Sequence, residues 1–175
     1  HVEDQFEKLQ DVLERQIGIE EDPDTRVEKT LTLARLYGAE LEDPDRARQW
    51  WEELIHESVA REEASRNLEQ IYAQQEEWEL LADLYLQRRE EVEDAEGKKA
   101  VVIKLAGVYE QHLDRVEEAF HWYKELLALE PELASALRGV RRCGEALEDW
   151  EAVADADEKL LAAVEEEEAA QLQQE

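Results

Sequence analysis

The sequence predicts an all-α protein, an α-solenoid of stacked antiparallel helical hairpins. One observation is the apolar pattern of Leu105 to Pro131: Leu105, Val108 and Tyr109, then Ala119, Tyr123, Leu126 and Leu127, at helical spacing with a break between. A second is repetition. A shift of 72 residues pairs Leu33 with Leu105, Ala34 with Ala106, Tyr37 with Tyr109, Ala47 with Ala119 and Leu54 with Leu126. A third is what is missing, since only six Gly and three Pro occur and no stretch alternates apolar with polar as a strand would.

Taken in order, Val2 to Ile17 reads as one helix with Phe6, Leu9, Val12, Leu13 and Ile17 on a face. Asp22-Pro23-Asp24 is a helix start, aspartate at the cap and proline just inside it. Thr25 to Leu41 and Arg46 to Glu57 form the first hairpin around Asp43-Pro44-Asp45, and Arg61 to Gln75 with Trp78 to Val92 the second. The polar stretch Glu93 to Gly97 is a turn. Lys98 to Leu113 with Val116 to Leu129 form the third hairpin, and Glu132 to Leu147 with Trp150 to Val164 the fourth. Glu130-Pro131 marks the break between them. Ala47, Ala82, Ala119 and Ala154, spaced 35, 37 and 35, are the packing alanines of the second helices. Phe6, Trp78 and Trp150, also 72 apart, read as packing between hairpins. Asp155 and Asp157 give the last helix the more polar outer face of a terminal repeat. Residues 1–165 are thus one repeat domain and 166–175 an acidic, polar tail. A chain without methionine that opens inside a helix is expected to be a segment of a longer protein.

The period near 34, the two helices per repeat, and Leu105-Ala106, Tyr109, Ala119, Tyr123 and Pro131 in this order resemble the tetratricopeptide repeat (TPR) family. The copies depart from it: Thr30, Ser65, Val102 and Leu137 stand where the early tryptophan belongs, and Gly144 where an aromatic does. The resemblance implies a right-handed superhelix whose first helices line a concave groove. Carried onto this chain, the groove positions are Leu31, Thr32, Arg35, Arg66, Asn67, Gln70, Ile103, Lys104, Gly107, Arg138, Gly139 and Arg142. Of these, Arg35, Arg66, Asn67, Gln70, Lys104, Arg138 and Arg142 are the candidate peptide contacts. Asn67 and Lys104 match the family's carboxylate clamp, but Leu31 and Ala100 replace its lysines. The arginines either hold an acidic segment by forked hydrogen bonds or pair with Glu28, Glu63, Glu110 and Glu145 to hold the stack.

Composition narrows function further. A net charge of −28, from 48 acids against 20 bases, repels phosphates and anionic headgroups, so neither nucleic acid nor membrane is an expected partner. Cys143 lies on an apolar helix position and reads as a small core residue. The four histidines, His1, His56, His112 and His121, form no metal pair, and no phosphate loop or cofactor motif occurs. The expectation is a non-catalytic, cytoplasmic interaction module without cofactor or metal, holding a peptide or partner helix in its groove. The alternative is a structural spacer or self-associating segment whose exposed contact is Val2 to Ile17.

Overall fold

The computed structural model describes residues 3–39, 43–56 and 60–172, excepting the side chains of 3–5 and 165–172. Among the described residues there are nine α-helices and no strand: α1 Glu3–Ile19, α2 Pro23–Ala39, α3 Pro44–His56, α4 Arg61–Gln74, α5 Trp78–Glu91, α6 Ala95–Gln111, α7 Val116–Leu129, α8 Ala134–Ala146 and α9 Trp150–Leu172. The all-α hairpin-repeat architecture expected from the sequence is the one observed. Val2, Leu41 and Glu57, placed on helices by periodicity, lie outside the described residues, as do 173–175.

Local chemistry sets the helix ends. The Asp22 carboxylate accepts the Thr25 N–H at 3.0 Å, and the Asp43 carboxylate accepts the Arg46 N–H at 3.1 Å, each with proline at the first helical position. Asp94 accepts the Gly97 N–H at 2.6 Å, which starts α6 at Ala95. The Glu93 to Gly97 turn is therefore shorter than its composition suggests, because a cap outweighs two helix-poor residues. The 72-residue period is visible in the turns themselves. Glu76 and Glu148 both adopt left-handed backbone, φ 58°. The following N–H groups, of Glu77 and Asp149, close back on the Tyr72 and Gly144 carbonyls at 2.9 Å, as in a Schellman ending. Likewise Asp43 N–H reaches the Tyr37 carbonyl and Arg115 N–H the Tyr109 carbonyl.

The chain comprises two compact units, residues 1–77 and 78–175. In the first, α2 packs on α1 and α3, and α3 on α4. Its core is Leu33, Ala34, Tyr37, Ala47, Trp51, Leu54 and Leu68. In the second, α5 packs on α6, α6 on α7, α7 on α8 and α8 on α9, around Leu105, Ala106, Ala119, Tyr123, Leu126, Leu137 and Cys143. Thr30, Ser65, Val102 and Leu137 are all buried, so the position of the absent tryptophan is filled by smaller side chains. Thr30 satisfies its hydroxyl on the Arg26 carbonyl at 2.9 Å. Burial of Cys143 at 1% exposure pushes its thiol up to about 11, consistent with a core residue.

Several expectations need correction. Ala154, in 72-residue register with buried Ala82, is exposed, while Ala156, in register with buried Leu84, is buried. Gly107 meets nothing a Cβ would touch, whereas a Cβ on Gly139 would lie 2.5 Å from the Tyr123 ring. Gly139 is thus a buried packing position and not a groove contact. Trp78 stacks on His112 with centroids 3.7 Å apart, but its repeat equivalent Trp150 is 63% exposed. Among the described residues no ring stacks on Trp150 as His112 does on Trp78. The α9 outer face carries exposed Asp155 and Asp157 but also exposed Trp150, Leu161 and Val164, so it is not a polar cap. In the acidic segment after residue 165, the backbone through Leu172 extends the last helix, one of the two forms open to it from the sequence.

Candidate functional site

The first unit holds a groove of about 430 Å³ between α2, α3 and α4. Ala34, Ala47, Trp51 and Ile71 form its apolar base, with Gly38 and Ala39 leaving room above them. Its polar wall is α4. Asn67, Gln70 and Gln74 recur at i, i+3 and i+7, which puts three carboxamides on one helix face. Each offers both donor and acceptor, the complement of an extended peptide backbone. Asn67 is fixed by donating to the Glu63 carbonyl at 2.8 Å, which leaves its side-chain oxygen as the acceptor.

Arg35 also lines this groove, but its charge is already answered. Its Nε and Nη2 donate to the two Glu63 carboxylate oxygens at 2.7 and 2.6 Å, a fork–fork pair joining α2 to α4. The Arg35 guanidinium holds the Glu63 carboxyl below the usual carboxylate range. Arg66 turns along its own helix instead, its Nε donating to the Glu62 carbonyl at 3.3 Å and its charge 4.0 Å from Glu62. Of the four candidates in this unit, Arg35, Asn67 and Gln70 meet in one cavity and Arg66 does not line it.

The second unit repeats the fork in mirror sense. Arg142 on α8 donates through Nε and Nη2 to Glu110 on α6 at 2.6 and 2.8 Å, while the Tyr123 hydroxyl of α7 donates to the same carboxylate at 2.8 Å. Three helices are joined at one acid that is 14% exposed. The Arg142 guanidinium, helped by the Tyr123 hydroxyl, holds Glu110 below its ordinary range, and burial raises the Tyr123 phenol. Lys104 lies over the Tyr85 ring at 5.8 Å. Arg138 is exposed, and no polar partner is seen for it among the described residues.

This arrangement fixes a pH dependence. Glu110 has a depressed carboxyl, so its stabilising charge is present in full above the unfolded carboxylate value. It is lost as pH falls through the lower, folded one. Relief of self-repulsion among the 48 acids acts in the opposite direction on lowering pH, so the comparison must be internal. Between pH 7 and pH 3 the urea midpoint of the wild type is expected to fall further than that of Glu110→Gln, which has no such proton to bind. Equal falls would contradict the role given to Glu110.

Sequence reading missed Gln74, although the i, i+3, i+7 recurrence of carboxamides was available as its signal. Among the described residues no group of three His, Cys, Asp or Glu is placed to hold a metal ion, and no helix is long and apolar enough to cross a membrane.

No family model matches the sequence, and no curated protein matches it. Solved structures do. The chain is similar to MamA AMB-1 in its P212121 crystal form, with TM-score 0.59 and 20% identity over 92% of this chain and 84% of that one. A second MamA crystal structure gives TM-score 0.56 and 17% identity over 94% and 88%. MamA MSR-1 gives TM-score 0.51 and 21% identity over 91% and 89%. At such identities the likeness speaks for the fold alone, and that fold is a TPR-like helical repeat.

Proposed function

We propose that the chain is a non-catalytic protein-interaction module that takes an extended peptide in the groove of its first unit. The observation that carries this reading is the coincidence of an apolar floor with a column of three carboxamides along α4. Affinity comes from apolar side chains seated over Trp51 and Ile71, and register from hydrogen bonds to Asn67, Gln70 and Gln74. Arg35 contributes geometry rather than free charge, because Glu63 already occupies its fork. Lys104 and Arg138, in the second unit taken by itself, remain proposed polar contacts of that unit, and Arg142 serves the α6–α8 junction. Arg66 turns along α4 to Glu62 and lies outside the groove lining.

The test is selection of linear peptides from a displayed library on the intact chain, followed by affinity measurement against variants. Asn67→Ala with Gln70→Ala is expected to weaken selected peptides by about tenfold or more, since each lost hydrogen bond costs about 1 kcal/mol. Lys159→Ala, on α9 and not in the groove lining, is expected to leave them unchanged. Peptides that bind both variants equally would place the site elsewhere.

A self-associating segment is the second reading. Leu9, Val12 and Ile19 of α1 are 42, 48 and 81% exposed, an uncovered flank beside the buried Leu13 and Ile17. Sedimentation of the chain, beside Val12→Asp with Ile19→Asp, decides it. A dimer that the substitutions dissociate supports self-association, and a monomer at all concentrations removes it.

A further inference from the structure

Helix α9 has two faces rich in apolar residues, and only one is buried. Ala156 is buried, with Val153 and Leu160 half-buried on the same side. A second stripe, Trp150, Ala154, Asp157, Leu161 and Val164, runs at i, i+4, i+7, i+11 and i+14, the spacing of a coiled-coil seam. All five are exposed, Trp150 at 63%, Leu161 at 61% and Val164 at 52%. Asp157, at its centre, lies 3.6 Å from Arg141 of α8.

The chain contains a filled version of this seam. In α5, 72 residues earlier, Trp78, Ala82, Tyr85 and Arg89 occupy the corresponding positions. That face receives α6: His112, at its C-cap, stacks on Trp78, and Lys104 lies over the Tyr85 ring. The covering helix carries Lys98, Lys99 and Lys104 against Glu96 and Glu110.

The flank of the α9 seam defines the charge of whatever covers it. Glu151 and Glu158, seven residues apart, lie along one side, the position from which coiled-coil helices choose partners by charge. A second copy of α9 would set glutamate near glutamate, in a protein that already carries −28. We infer that this face docks an amphipathic helix of another protein, with an apolar seam and lysine or arginine on its flank.

The probes are two three-heptad peptides with leucine at the seam positions, one with lysine at every flanking position and one with glutamate. Each is titrated calorimetrically into the intact chain. The lysine peptide is expected to bind about tenfold or more tightly than the glutamate peptide. Leu161→Asp with Val164→Asp, both at exposed positions, should abolish that binding while circular dichroism stays unchanged. Glu151→Lys and Glu158→Lys together should invert the preference between peptides. Absence of binding, equal binding of the two peptides, or binding that survives the paired aspartates would overturn the inference. So would a dimer in sedimentation that the same aspartates dissociate, because the occupant would then be a second copy.

Discussion

Gly139→Val is expected to destabilise the second unit by about 3 kcal/mol, at the upper end of what overpacking a core costs. The first atom of any side chain at Gly139 would lie 2.5–2.6 Å from three atoms of the Tyr123 ring. That ring is 4% exposed and cannot swing aside, since its hydroxyl is held by Glu110. Even alanine, which stabilises an open helix relative to glycine by about 1 kcal/mol, should here be destabilising. Gly107→Ala is the control, because a Cβ at Gly107 meets nothing within 4 Å. Urea unfolding should move the two alanine variants in opposite directions, and a shared upward shift would mean that α7 and α8 are less close than described.

Trp51→Ala should be the most damaging change in the first unit. Trp51 is 2% exposed and touches the groove floor, so its removal leaves a cavity costing about 3–5 kcal/mol. Peptide binding at α4 is expected to vanish with it, while Trp51→Phe should retain part of both. Trp150→Ala, at 63% exposure, should stay within about 0.5 kcal/mol of the wild type. Were the two tryptophans equally costly, the assignment of burial within the repeat would be wrong.

That contrast shows what the sequence could reveal. Helix starts at Asp22-Pro23 and Asp43-Pro44 were legible because capping is settled by residues three apart. The 72-residue period was legible too, and it returns as matched turn hydrogen bonds at Glu77 and Asp149. Equivalence along the chain is not equivalence of surroundings, however. Trp78 and Trp150 share a repeat position, yet His112 covers only the first. Gly107 and Gly139 are both small residues on first helices, and only the offset between α7 and α8 decides which one lies under a ring. Arg35 and Arg142 both stood beside visible acids. The partner each takes depends on a helix 28 residues ahead in one case and 32 behind in the other. Hence basic positions could be found from sequence, while their neutralisation could not. The carboxamide column on α4 was half read, Asn67 and Gln70 without Gln74.

The α2–α4 groove is tested most directly by an amide chemical-shift titration of the intact, isotopically labelled chain with a library-selected linear peptide. Saturable shifts concentrated at residues 34–39 and 63–74, and absent from the Asn67→Ala, Gln70→Ala variant, are the expected result. Shifts confined to α1 or α9, with residues 63–74 unmoved at saturation, would contradict a peptide site in this groove.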